Sequence, residues 1–225
     1  MTLPAGVAGA SQVVSTPHDG NGNVLGSAAS PVRMTFMSPA IVSAVAAGAA
    51  VTAAAETTLL PAAAKYAMPA GSVMPGVPWA VGRKLRITAS GLISSVITTP
   101  GTARFKVKLG PTANITVFDG LAVLLDTAAA HTNKGWRLQI DLTCLTIGSG
   151  TSATLWGDGQ FISENIVGQA TMPVASQVAS LPWNASPAAG TGFDSTVANV
   201  LDLTFTQTVA TGSITLEQYS VELVA

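Results

Sequence analysis

The sequence predicts an all-β protein: an antiparallel β-sandwich or barrel preceded by an extended N-terminal arm. From about Glu56 onward apolar residues recur at every second position, glycine and proline turns separate these runs, and no run has the spacing of an amphipathic helix. The first 55 residues are instead mostly Gly, Ala, Ser, Val and Pro with one base and one acid, which is too little to build a core. We therefore assign residues 1–55 to an arm that docks on a partner and residues 56–225 to the folded domain.

The arm carries one turn-forming cluster, HDGNGNVLG, which predicts a small hairpin. Its Asp19 opens the cluster like a calcium loop, but Val24 stands where the loop glycine belongs and Ser30 where the bidentate glutamate belongs. A turn is therefore the favoured interpretation. Further along, between residues 40 and 64, alanine favours a helix while Val, Thr and Pro61 favour an extended chain, so both stay open. Apolar surface for a partner to cover is expected at Val13, Val14, Val24, Leu25, Met34, Phe36, Met37, Ile41 and Val42.

The strand pattern becomes dense in the domain. Alternation runs through RKLRITASGLISSV, ARFKVKLG, ITVFDGLAVLL, WRLQIDLTCLTI and ATLWGDGQFIS. In the fourth of these runs one phase carries Trp136, Leu138, Ile140, Leu142 and Cys144, which we predict to face the core. The single cysteine is then a small buried hydrophobe, not a nucleophile.

The closing run, LDLTFTQTVATGSITLEQYSVEL at residues 201–223, predicts a β-hairpin. Its phase slips by one residue at Glu217–Gln218, which indicates a β-bulge. With that bulge, Phe205, Leu216 and Tyr219 point into the core, and the threonine row of the first strand points outward.

The charge content limits the possible partners. Only 9% of residues are charged against 48% hydrophobic, and the net charge is −1, which argues against a nucleic-acid-binding protein. So thinly charged a surface predicts packing against copies of itself or a larger assembly. Six cations cluster between residues 83 and 108 and most acids follow residue 137, so we expect ion pairs between neighbouring strands, with a phosphate-binding patch as the alternative. The uncharged run at residues 40–55 is too short to span a bilayer, and no secretory signal is visible.

Signatures of catalysis and metal binding are absent from the sequence. It contains no phosphate-binding glycine loop and no G-x-S-x-G elbow, and His18 and His131 lack neighbours at zinc-ligand spacing. We therefore expect no enzyme activity, no metal and no cofactor. Among the four tryptophans, Trp79 and Trp183 lie in proline-rich loops and are the candidates for exposed contact aromatics. Packing in the core or at a subunit interface is favoured for them over a glycan platform.

A family resemblance covers residues from about Thr57 to the C-terminus. It rests on the order of the blocks TTLLPAAAKYAMPAG, VGRKLRITASGLIS, GWRLQIDLTC, TLWGDGQF, GTGFDSTVANVLDLTFT and SITLEQYSVEL. This order resembles a group of structural proteins of tailed bacteriophages, which are similar to jelly-roll domains, are often trimeric, and decorate heads as cement proteins or head fibres or occasionally sit on tails.

The resemblance implies a jelly-roll-like β-sandwich that forms a homotrimer. It implies a virion component without enzyme activity, made in the host cytoplasm, with the major capsid protein or another virion protein as its partner. The arm is then the expected attachment segment. The alternative is a minor tail or fibre-tip protein that recognises a host surface glycan. Neither function involves nucleic acid or a membrane.

Overall fold

The computed structural model describes residues 40–44, 48–70, 79–167 and 177–224. The hairpin predicted at HDGNGNVLG lies outside these residues, and so do the expected contact residues Val13, Val14, Val24, Leu25, Met34, Phe36 and Met37. Ile41 and Val42 belong to the first strand, where Val42 pairs with Val221.

The described residues contain fourteen strands and two short 3-10 helices, at Ala62–Ala64 and Glu164–Ile166. The strands are β1 (Ala40–Ala44), β2 (Thr57–Thr58), β3 (Ala67–Met68), β4 (Lys84–Ser95), β5 (Thr102–Leu109), β6 (Ile115–Asp119), β7 (Val123–Leu124), β8 (His131–Thr146), β9 (Ala153–Ser163), β10 (Val178–Leu181), β11 (Ala189–Phe193), β12 (Asn199–Val200), β13 (Asp202–Gln207) and β14 (Ser213–Val224).

The strands form two main sheets in which every pairing is antiparallel. A seven-stranded sheet has the order β1-β14-β4-β8-β9-β10, with β11 pairing with β9 as well. A five-stranded sheet has the order β2-β13-β5-β6, with β7 also on β5, and β3 pairs separately with β12. Consecutive strands belong to different main sheets at four places, from β1 to β2, from β4 to β5, from β7 to β8 and from β13 to β14. The predicted all-β antiparallel sandwich is confirmed.

The core lies between the two main sheets and follows the predicted phase. Leu138, Ile140, Leu142 and Cys144 of β8 are all buried, and burial raises the pKa of the Cys144 thiol. An aromatic cluster joins the sheets, because Phe105 of β5 contacts one ring of its own sheet and two of the other. The ring centroids lie 5.2 Å from Phe205, 5.0 Å from Phe161 and 5.6 Å from Trp136.

The folded unit begins earlier than the sequence pattern predicts. Residues 40–44 form β1, which pairs with β14 along the edge of the seven-stranded sheet, and Val51 forms a further bridge to Ile214. The boundary therefore lies between Pro39 and Ala40, not after residue 55. Of the two conformations left open for residues 40–64, the extended one holds at Ala40–Ala44 and Thr57–Thr58, whereas Ala62–Ala64 form a 3-10 helix. Alanine-rich β1 shows no clear alternation, and it is a strand because β14 supplies its hydrogen-bonding partner.

The predicted C-terminal hairpin is wrong, although the phases of its two strands are right. Leu203 and Phe205 of β13 are buried, as are Leu216 and Tyr219 of β14, but the two strands lie in different sheets. Strand β13 pairs with β5 and β2, whereas β14 pairs with β4 and β1. Alternation specifies which face of a strand is buried, and two strands on opposite sides of one core satisfy it as well as a hairpin does. The bulge is confirmed, since the register of β14 on β4 shifts between Leu216 and Gln218.

Candidate interaction surface

Most positive charges of the chain are neutralised within it. Arg86 on β4 donates two hydrogen bonds of 2.9 Å to Asp141, its cross-strand partner on β8, and holds the pKa of that carboxyl below its usual value. Arg104 pairs in the same bidentate way with Asp119. Ion pairs between neighbouring strands were the simpler of the two interpretations, and the geometry favours it over a phosphate-binding patch. Three of these pairs join neighbouring strands, those of Lys84, Arg86 and Arg104. Seven of the ten lysines and arginines form a salt bridge of some kind: Lys65, Lys84, Arg86, Arg104, Lys106, Lys108 and Lys134.

Residues 56–65 run along the β13 edge of the five-stranded sheet, where β2 pairs with β13, and we call this segment the strap. At its start, Glu56 accepts hydrogen bonds from Lys106, at 2.6 Å, and from Thr204, at 3.1 Å, and forms a salt bridge of 2.5 Å with Lys108. Burial alone would raise the pKa of Glu56, but the two ammonium groups outweigh burial and lower the pKa to about 2. The first end of the strap is therefore held by charge.

The other end of the strap is held by a more buried pair. Lys65 donates a 2.7 Å hydrogen bond to Asp202 Oδ2, and Thr58 donates one of 2.6 Å to Oδ1. Asp202 and Thr204 are buried where the strap contacts them. Of the threonine row predicted to point outward, Thr204 is therefore buried, whereas Thr206 is half-buried and Thr208 is exposed. The sequence holds a signal for this arrangement, since Glu56 and Lys65 are the only charged residues between Arg33 and Arg83.

The salt bridges of the strap predict a decline in stability at low pH. The pKa of Glu56 is depressed in the folded state, so its contribution is complete above its ordinary value of 4.5 and is lost as the pH falls toward about 2. The depressed pKa values of Asp119 and Asp141 act in the same direction. We expect the urea midpoint of unfolding to fall between about pH 4.5 and 2. It should fall less steeply in Glu56→Gln, and equal slopes in the two proteins would contradict the assignment.

The large hydrophobic side chains exposed on the described residues are concentrated at one end of the sandwich. There β4 begins, β8 ends and β9 begins. Backbone hydrogen bonds tie the loops of this end together: Gly82 donates to Cys144 at 2.8 Å, Ser195 to Gly148 at 3.0 Å and Leu201 to Tyr66 at 3.2 Å. We call this region the apolar end; six of the nine exposed large hydrophobic residues belong to it: Tyr66, Val81, Leu145, Ile147, Trp156 and Val197.

Trp156 is the tryptophan of the apolar end, and sequence reasoning missed it as an exposed residue. It lies on the outer face of the seven-stranded sheet, between the short side chains of Thr143 on β8 and Ala189 on β11, and is 40% exposed. The inner phase of β9 includes two glycines, which hid the alternation. At Gly157 a Cβ would lie 2.5 Å from Phe118, so this position must stay bare for the sheets to pack. Once glycine is accepted as an inward residue, the phase of Leu155 and Phe161 assigns Trp156 to the outer face.

The two tryptophans named as candidates for exposed contact occupy different places. Trp79 is fully buried, with its ring 5.0 Å from that of Phe193, so it packs in the core, as the favoured interpretation predicts, and is not an exposed contact residue. Its loop is rich in proline, yet the indole fills the gap beside β11 because burying so large an apolar surface is favourable. Trp183 is partly buried and packs against the core, and its backbone N–H donates to Gly120 at 2.9 Å. Neither residue belongs to the apolar end.

Asp158 completes the surface beside Trp156. It is exposed on the outer face of β9, directly opposite Asp141 on β8. Asp141 is already neutralised by Arg86, while Asp158 forms no ion pair with any residue that the structure describes. Like charges facing each other across two strands are destabilising, so this position breaks a rule that the rest of the sheet obeys.

One further pair of titratable side chains lies close together, His131 and Asp126. His131 Nε2 lies 2.8 Å from Asp126 Oδ2, and both side chains are largely buried. Within the described residues no three histidine, cysteine, aspartate or glutamate side chains come together in a way that could hold a metal ion. Nor does the described part of the chain include a helix long and apolar enough to cross a membrane.

Comparison with protein-family models, with curated proteins and with solved structures finds no match to this chain.

Proposed function

We propose that this chain is a non-enzymatic structural protein of a tailed-bacteriophage virion, a capsid decoration protein of the cement or head-fibre type. In this proposal the sandwich assembles as a homotrimer, and the segment before it attaches the trimer to the major capsid protein or another virion protein. The family resemblance of the blocks from Thr57 onward supports the virion assignment, and the sandwich fold agrees with it.

The observation that carries the proposal is the character of the surface. Seven of ten cations are balanced inside the chain, which leaves a face of threonine, serine and glutamine with its exposed apolar side chains gathered at one end. Such a surface suits permanent contact with neighbouring subunits, because covering neutral polar and apolar groups costs much less desolvation free energy than covering charges. Of the two tryptophans named for the glycan-binding alternative, Trp79 is buried and Trp183 is partly buried against the core.

The test is a truncation at the observed boundary. Deleting residues 1–39 leaves β1 in place, so we expect a folded sandwich with the circular dichroism spectrum of an all-β protein. A deletion that reached residue 50 would remove β1 and leave the edge of β14 unpaired. We expect the shorter truncation to lose binding to particles that lack the protein, measured by co-sedimentation against the full chain. Undiminished binding would move the attachment site into the sandwich.

A further inference from the structure

We infer that the apolar end is a self-interface, in which the Lys84 side of one copy meets the Trp156–Asp158 side of the next copy around a closed ring. The inference rests on the trimer of the proposed function and names the surface that forms it. The partner it identifies is a second copy of this chain.

The first step is the order of the side chains across three neighbouring strands. Lys84 on β4 is the cross-strand partner of Thr143 on β8, which in turn faces Trp156 on β9. Asp158 follows two residues further along β9 on the same face. The outer face therefore runs from a cation through a hydroxyl to an aromatic ring and a carboxylate, across a width of about 10 Å.

The second step is that both charged groups are available to a partner. The Lys84 ammonium lies 3.7 Å from Asp141, the longest salt bridge of the described residues, and its side chain is 37% exposed. Arg86 already makes two hydrogen bonds of 2.9 Å to the same carboxylate, so Asp141 does not depend on Lys84. Asp158 has no ionic partner in the described residues and is held opposite another acid. A local conflict of this kind is retained where a contact outside the subunit compensates for it.

The third step is the apolar part of the surface. Val81, which is 67% exposed, lies three residues before Lys84, and Leu145 lies two residues beyond Thr143 on β8. The loops that carry these residues are tied to one another by backbone hydrogen bonds, so the surface is formed before association. Subunit interfaces typically have this composition, with aromatic and aliphatic side chains at the centre and charged groups at the border.

A second copy fits this surface because its two flanks are complementary to each other. A patch of one sign would require a foreign partner of the opposite sign. Here the cation lies on β4 and the acid on β9, with β8 between them, so a head-to-tail contact brings Lys84 of one copy to Asp158 of the next. Heterologous contacts of this kind close into rings when the rotation permits, and three copies make the proposed trimer.

The test reverses one charge. Asp158→Lys removes the repulsion with Asp141, so the melting temperature should stay the same or rise when it is compared with that of the wild type at a dilution at which both proteins are monomeric. The same change places like charges across the self-interface, and we expect the dissociation constant of the trimer to rise by about tenfold or more. Sedimentation equilibrium of the full chain at micromolar concentration then shifts toward the 22.6 kDa of one chain. A variant that lost a contact within the subunit would melt lower at that dilution too, so the two readouts together separate the possibilities.

Matched controls come from the same molecule. Glu217→Lys makes the same charge change near the bulge, opposite the middle of β4 and outside the apolar end, and should leave the trimer intact. Trp156→Ser should weaken the trimer, whereas Ile97→Ser, at a site that is 46% exposed but outside the apolar end, should not. A trimeric wild type with trimeric Asp158→Lys and Trp156→Ser variants would overturn the inference and leave the proposed function standing. A wild type that sediments as a single chain would overturn the trimer itself.

Discussion

Leu142→Asp is expected to prevent the accumulation of soluble, folded protein. Leu142 is fully buried on β8 between Leu85 on β4 and Gly157 on β9. The residues around it are apolar on the inner face, so a carboxylate there has no counter-ion and either stays charged at a high desolvation cost or takes up a proton and remains without hydrogen-bond partners. Either outcome costs several kcal/mol, and removing the packed leucine adds to that cost. The sum is comparable to the whole stability of a typical domain, about 5–15 kcal/mol.

Two control variants show whether the effect comes from burying a charge on the inner face of β8 or from any change at this position. Thr143→Asp introduces the same side chain one residue later, on the outer face beside Lys84, and should be soluble with a melting temperature near that of the wild type. Leu142→Met keeps the volume and should cost less than about 1.5 kcal/mol. Yield in the soluble fraction and thermal unfolding measure all three variants. A soluble Leu142→Asp protein with an unchanged melting temperature would mean that β8 turns its other face to the core.

The sequence predicts the buried face of each long strand because side-chain direction alternates strictly along a strand. Strand β8 shows this best, since each of its predicted core residues is buried. The same rule carries no information about the neighbouring strand, which is why β13 and β14 have the right phase and the wrong partners. For β1 the sequence does not predict even which face is buried, because apolar and polar residues do not alternate in its sequence AIVSA. Its place in the sheet follows from the open edge of β14.

The surface was less predictable than the core for a related reason. Trp156 and Asp158 become recognisable as outward residues only when Gly157 and Gly159 are taken as inward ones, and that depends on Phe118 in the other sheet. Trp79 shows the opposite case, since local proline suggests a loop at the surface, while burial against Phe193 depends on a strand more than one hundred residues away in the chain. Composition predicted the neutral surface correctly, because the number of charges is fixed by the sequence and only their pairing depends on the fold.

Lys65→Met is expected to lower the free energy of unfolding by about 3 kcal/mol, the low end of the range for breaking a buried ion pair. Asp202 keeps only 7% of its side-chain surface exposed, and without Lys65 its carboxylate retains the hydrogen bond from Thr58 but loses its counter-ion. The lysine itself is 29% exposed, so water replaces part of its interaction and places the expected loss at the lower end. The corresponding decrease in melting temperature is about 6–12 °C for a chain of this size.

The size of this effect depends on leaving the Asp202 carboxylate without a counter-ion, and not on losing the contact with Lys65. A second substitution separates these two causes. Asp202→Asn in the Lys65→Met background removes the charge and should recover most of the lost stability, since an uncharged amide can still accept the hydrogen bond from Thr58. Lys134→Met is the matched control: its pair with Glu164 is exposed on both sides, at 42% and 51%, and its loss should change stability by less than about 1 kcal/mol. Urea unfolding of the four proteins at neutral pH measures these differences. If Lys65→Met were as mild as Lys134→Met, the strap would be a peripheral loop, and the burial of Asp202 and Thr204 would need another cause.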